Sequence, residues 1–295
     1  MLTPAQDGLR IDQVLVAVVP ALGRAEARRL CAEGQVRLDG RRVDKGARGR
    51  AGAVLSLAAP PVAAAQPDAN APLVIAYADD FLVVVDKPAG QASHPLRPGE
   101  PGTVASALLA RYPEMAHIGY GPLEAGLLHR LDIGTSGLLL AARDAETFQR
   151  LRALLVGEGL HKHYLAVCVG TVAVGVLSHR LEAQGRRVRV HPAEGGTGRP
   201  VRLEVLASTP FGGYSLVEVA VAHAARHQIR AQLAAAGHPL VDDPLYGGPV
   251  LLEGAHHCLH ASRLAFVHPH TGQLIEVQSP LPPDRLAVVR ALAGG

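Results

Sequence analysis

Aromatic residues are scarce: the chain has no Trp, four Phe and six Tyr, 3% in all. A core built from 295 residues of which 48% are hydrophobic must therefore be mainly aliphatic. No apolar run is long enough to span a bilayer, and the stretch from Val14 to Leu22 is short and broken by Pro20. The N-terminus lacks the basic-then-apolar layout of an export signal. Cysteine is equally sparse. Cys31, Cys168 and Cys258 stand far apart with no Cys-x-x-Cys pair, which argues against a disulfide framework or a cysteine-rich metal site and for a reducing compartment. A soluble cytoplasmic protein without membrane attachment is expected. Phosphate-loop and dinucleotide fingerprints are missing as well, so no nucleotide cofactor is expected.

Charge is present but unevenly placed. Between Arg24 and Arg50 lie nine basic and four acidic residues, whereas the whole chain carries only +3. The rest is thus net negative, and the basic surplus sits in one small module, the footprint of a phosphate-binding attachment. Arg24, Arg28, Arg29, Arg41 and Arg42 are the candidate RNA contacts within it; the plainer alternative is an ordinary solvated basic face.

Ile11, Val14, Leu15 and Val18 recur at helical spacing, and Pro20 and Gly23 end that pattern. Ala25 to Ala32 reads as a second helix stopped by Gly34, with strands at Val36–Gly40 and Val54–Leu57. Residues 1–57 therefore form a small αα-then-β domain. Residues 58–72 are almost all Ala and Pro and read as a semi-rigid linker, leaving 73–295 as the main domain. There, strands are predicted at Leu82–Asp86, Gly137–Ala142, His163–Val169, Val201–Leu206 and Ser215–Val221. Helices are predicted at Val104–Arg111, capped by Thr103, at Ala145–Leu155 and at His227–Ala236. This mixture indicates an α+β fold on a large mixed, mainly antiparallel sheet with flanking helices.

His129-Arg130-Leu131-Asp132-Ile133-Gly134-Thr135-Ser136 packs polar groups immediately before a purely apolar strand. An aspartate in a loop feeding the core is partly desolvated, and its charge needs a cation or several donors, for which Arg130 and Thr135 are the nearest candidates in sequence. The His-rich run Ala255-His256-His257-Cys258-Leu259-His260 contains good zinc ligands. Alternate strand residues face opposite sides, however, so the set cannot converge and no metal is expected.

The loop around Asp132 and the strand after it resemble the signature of RluA-type pseudouridine synthases. Four further segments resemble that family in order: Asp86-Lys87-Pro88-Ala89-Gly90 through His94-Pro95; Lys162-His163-Tyr164; His227-Gln228-Ile229-Arg230 with Gly237 to Gly247; and Leu259 to Pro269. Residues 10–56, headed by Arg10-Ile11-Asp12, resemble the αL-type RNA-binding domain named after a ribosomal small-subunit protein. The resemblance implies an enzyme that isomerises uridine in structured RNA, ribosomal RNA favoured over transfer RNA, after the base leaves its stack. It implies Asp132 as nucleophile, Arg230 as its ion-pair partner, and Tyr164 as a stacking and proton-transfer residue. Arg130 would replace the flipped base, and Lys87 could reach phosphate. An isomerisation requires no cofactor, and a monomer is expected. One departure stands out. The family's Thr-Gly-Arg-Thr before His-Gln-Ile-Arg is His223-Ala224-Ala225-Arg226 here, and Ala224 takes positive φ less freely than Gly, so that turn is expected to be built differently. That departure favours a competing reading as a silent RNA-binding protein, which the intact Asp132 loop opposes. A glycoside hydrolase would need a second carboxylate, and Glu124 lacks a recognisable context.

Overall fold

The computed structural model describes all residues except 20, 21, 23, 44, 45, 58–63, 98, 223, 253 and 295, together with the side chains of 24–26. The chain divides into two compact units, Met1–Ala63 and Ala64–Gly295.

In the first unit, helices α1 (Ile11–Val18) and α2 (Arg24–Ala32) accompany a three-stranded antiparallel sheet in the order β2-β1-β3, with β1 Val36–Leu38, β2 Arg41–Arg42 and β3 Leu55–Leu57. Ile11, Val14 and Leu15 of α1 close on Ala27 and Leu30 of α2 and on Val36, Val43 and Ala53. That is the expected i, i+3, i+4 face. Val18, the fourth member of the spacing, falls outside it and is 54% exposed. The side chain of Arg24 lies outside the described residues. Arg28 pairs with Asp12 at 3.2 Å and Arg29 with Glu33 at 2.9 Å, while Arg41 and Arg42 are exposed on the edge strand.

The second unit is built on a ten-stranded sheet. Its strands are β4 (Val74–Ala78), β5 (Leu82–Lys87), β6 (Ser136–Ala142), β7 (His161–Val169), β8 (Gly175–Gln184), β9 (Arg187–Pro192), β10 (Arg199–Phe211), β11 (Tyr214–Ala220), β12 (Leu259–Val267) and β13 (Leu274–Gln278). The order is β4-β5-β6-β12-β7-β11-β10-β8-β9, with β13 paired to β12. Every pairing is antiparallel except β6 with β12. The helices are α3 (Val104–Arg111), α4 (Ala145–Val156), α5 (Gln228–Ala235) and α6 (Pro283–Ala293).

The apolar runs of β5 and β6 are explained by burial on both faces. Val83, Val85, Leu139 and Ala141 join one core with Leu108 of α3, whereas Leu82, Val84, Leu138 and Leu140 join a second with Phe148 and Leu151 of α4. Thr103 caps α3 by accepting from the Ser106 amide at 3.1 Å, and Asp144 caps α4 by accepting from Thr147 at 2.8 Å. Gly137 sits at the β6–β12 junction with φ 107°, and a Cβ there would run into the backbone of Ala261.

Of the segment read as a linker, 58–63 lie outside the described residues. Residues 64–72 are strapped to the larger unit instead of acting as a spacer. The Ala65 amide donates to Pro122 and the Asp68 amide to Ser106, Asp68 accepts from Gly102, and Pro72 accepts from Gln91. Composition alone cannot register such backbone contacts.

Candidate active site

Asp132 occupies the loop that enters β6, and short bonds hold that loop from both sides. Ser93 Oγ donates to the Leu131 carbonyl and accepts from its amide, both at 3.0 Å. The Thr135 amide closes a turn onto the Asp132 carbonyl at 3.0 Å, and the Gly90 amide reaches Ile133 at 2.7 Å. Beyond the turn, Thr135 Oγ1 meets His257 Nε2 at 2.8 Å and Ser136 Oγ meets His260 Nδ1 at 2.9 Å. The backbone of residues 131–136 is thus set before any substrate arrives.

The carboxylate itself is held from the far end of the chain. Arg230, in the first turn of α5, donates from Nη1 to Asp132 Oδ2 at 2.9 Å. The rest of its guanidinium is clamped by Asp243, Nε to Oδ2 and Nη2 to Oδ1, each at 2.8 Å. Burial opposes the Arg230 charge, but the hydrogen bonds and charges of Asp243 and Asp132 outweigh it and hold its pKa above the ordinary value. Asp243 is buried and Asp132 is 26% exposed, so one arginine links a structural carboxylate to an accessible one. The candidates nearest in sequence do not hold Asp132. The Thr135 hydroxyl is bonded to His257, and the Arg130 side chain is exposed, with no hydrogen bond or ion pair among the described residues. Asp243 carries no signal of its role beyond belonging to the Gly237–Gly247 string.

Tyr164, on β7, lines the same hollow with Asp132, Arg130, His227 and Arg230. Its ring is 4% exposed, and burial, then the negative charge of Asp132, pushes the phenol above its ordinary pKa. It is therefore a neutral hydroxyl at physiological pH, able to donate a proton but poorly suited to losing one beforehand. A larger groove of about 590 Å³, lined by Lys162, His179, Arg199 and Arg202, does not include the carboxylate.

Lys87 does not reach outward as expected. It is fully buried, and its ammonium donates to the carbonyls of Pro88, Gln91 and Ile133 at 3.0, 2.8 and 3.2 Å. Burial lowers its pKa to about 8, and the charge of Asp132 resists that shift, so it remains protonated at neutral pH. Its role is to staple the Pro88–Gln91 turn to the residue after Asp132. Replacing it by Met should lower stability by about 1–3 kcal/mol, the scale of stranded buried acceptors, and slow turnover. The salt dependence of RNA binding should stay the same, because no phosphate contact is lost; a changed slope in titrations at several salt concentrations would return Lys87 to the RNA surface.

In the altered turn before α5, His227 takes a positive φ of 55°. Arg226 donates to the carbonyls of Gly185 and Arg187 at 2.6 and 2.8 Å, gripping the β8–β9 turn. His223 lies outside the described residues. The His-rich run is dispersed as well: His257 faces Thr135, His260 bridges Ser136 and the Ser279 carbonyl, and Cys258 Sγ lies 3.5 Å from the Arg285 guanidinium. Among the described residues, no cluster of His, Cys, Asp or Glu could hold a metal ion. Nor is any described helix long and apolar enough to cross a membrane.

A mixed-sheet α+β domain with an arginine-held carboxylate at the mouth of a tyrosine-lined hollow, carried with a small basic α/β module, is the arrangement of an RNA-modifying enzyme. Residues 81–235 match the family described as RNA pseudouridylate synthase, and residues 9–54 match the S4 domain. The chain belongs to the RNA pseudouridylate synthase family, isomerases that act on uridines of RNA. An uncharacterized RNA pseudouridine synthase of Chloroflexus aurantiacus is 38% identical over 293 residues, 98% of this chain and 92% of that protein. A ribosomal large subunit pseudouridine synthase D of Xanthomonas campestris pv. campestris is 32% identical over 97% of this chain and 89% of its own length. Among solved structures, human RNA pseudouridylate synthase domain containing 4 superposes with a TM-score of 0.57 at 20% identity, over 74% of this chain and 92% of that one, a likeness of fold.

Proposed function

We propose that this enzyme forms pseudouridine in ribosomal RNA, with Asp132 as the reacting carboxylate. The observation that carries the reading is the buried Arg230 clamp, which holds one oxygen of Asp132 at 2.9 Å in the hollow that Tyr164 also lines. Isomerisation breaks the bond from uracil N1 to the sugar C1′, turns the base, and joins its C5 to C1′. The proton on C5 is then lost and N1 ends protonated, so the atoms balance without a cofactor. A fixed carboxylate serves this by attacking the sugar or by supporting positive charge as the first bond breaks. Tyr164 stacks on the base and handles a proton; Arg130, exposed and uncommitted, fills the space left by the flipped base.

Ribosomal RNA is favoured by the substrate named for relatives such as the Xanthomonas protein, and by the basic residues of the first unit. The same reading places the enzyme in the cytoplasm, acting as a monomer. Pseudouridine mapping of large-subunit ribosomal RNA from cells with and without this protein tests the proposal: one or a few sites should disappear, and an unchanged ribosomal map would refute it.

The first unit, with Arg28, Arg29, Arg41 and Arg42, is the proposed RNA anchor. Deleting residues 1–63, which spares the contacts of Ala65, Asp68 and Pro72, should leave a folded enzyme that binds RNA more weakly. Its log-affinity should also fall less steeply with log salt concentration, because fewer counterions are released. An unaltered slope would remove these arginines from the RNA surface.

A further inference from the structure

The two oxygens of Asp132 are not equivalent. Oδ2 accepts from Arg230 at 2.9 Å and faces His227 Nε2 at 3.8 Å, whereas Oδ1 makes no hydrogen bond to any described residue. His227 lies just before α5 in the left-handed conformation, uncommon for non-glycine residues though His is among those enriched there. That backbone geometry aims the imidazole at the hollow it lines with Asp132 and Tyr164.

The far side of the ring is tied down. His227 Nδ1 lies 2.9 Å from Tyr246 Oη, and that oxygen accepts the Val188 amide at 2.9 Å. With that oxygen already accepting from Val188, its own proton is available to Nδ1. A neutral imidazole with Nδ1 accepting carries its own proton on Nε2, the nitrogen that faces Asp132. The Tyr246 ring stands perpendicular to His227, with centroids 5.7 Å apart, and lies 5.2 Å from the Arg230 guanidinium. Burial lowers the imidazole pKa; Asp132 draws it up again, Arg230 and Arg226 press it down, and Asp243 acts weakly upward. The ring is thus a neutral donor among charges.

We infer that His227 is a positioning residue for the reaction: its Nε2–H, oriented by the Tyr246 hydroxyl, closes the Oδ2 side of Asp132 and leaves Oδ1 as the oxygen presented to the sugar. The separation of 3.8 Å is longer than a hydrogen bond, and a small rotation of either side chain on substrate binding would shorten it. The inference rests on Asp132 being the reacting carboxylate.

The test uses the full-length protein in single-turnover assays on ribosomal RNA purified from cells lacking it. His227→Asn suits the left-handed backbone better than histidine, but its amide reaches only as far as Nδ1. His227→Gln places an amide N–H near the position of Nε2. The Asn variant should react about 100-fold more slowly with unchanged RNA affinity and no loss of thermal stability, and Gln should recover at least about tenfold of that loss. Tyr246→Phe keeps the ring and removes the orienting proton; it should slow the reaction about tenfold and add nothing to His227→Asn. Wild-type turnover by the Asn variant, equal impairment of Asn and Gln, or additive effects with Tyr246→Phe would overturn the inference. If Asp132→Asn is inactive while His227→Asn is fully active, only the role of His227 falls. If Asp132→Asn turns over, the reading of Asp132 fails first.

Discussion

Asp132→Asn should reduce pseudouridine formation by roughly 10⁴-fold or more, the scale on which removal of a reacting group acts. An amide of the same shape can still accept from Arg230, but it carries no charge and is a poor nucleophile. The fold should barely notice. Arg230 keeps both bonds to Asp243, at 2.8 Å each, and the loop bonds through Ser93, Thr135 and Lys87 do not involve the Asp132 side chain. A stability loss within about 1 kcal/mol is expected, the net worth of a single hydrogen bond, with RNA affinity nearly unchanged. Single-turnover assays alongside denaturant titrations separate these effects. Turnover by the Asn variant would end the assignment of Asp132, because nothing else in the hollow supplies a carboxylate among its lining residues.

Arg230→Ala should fail in both respects. Removing the guanidinium strands Asp243, which is 1% exposed, and deprives Asp132 of the donor that orients Oδ2. Breaking a buried pair from one side costs about 3–5 kcal/mol, because a carboxylate is left in a poor solvent without a counter-charge. Turnover should disappear even at temperatures where the variant is folded. Arg230→Lys should fall between: a single ammonium keeps the charge but cannot span two carboxylates with a planar fork. Urea titrations and turnover of the two variants check the ranking. A stable, active Ala variant would dissociate this arginine from the chemistry.

The sequence by itself determined what depends on neighbours along the chain. The strands β5 and β6, the cap at Thr103, the helical face of Ile11, Val14 and Leu15, and the Asp132 loop were all legible, because alternation, capping and turn formation are local. Some elements were not. The β8–β9 hairpin is largely exposed, so burial imposes little alternation on its sequence. The left-handed conformation at His227 is not marked by the sequence pattern either. Tertiary structure decided which further groups surround each charge. The resemblance implies a Lys87 that could reach phosphate, whereas the folded chain places three carbonyls around its ammonium. Asp243 and Tyr246 join the site only because α5 and the segment after it come back to the loop that enters β6, with 98 residues between Asp132 and Arg230. A charge takes its meaning from what surrounds it once water is excluded, and those surroundings are assembled by folding.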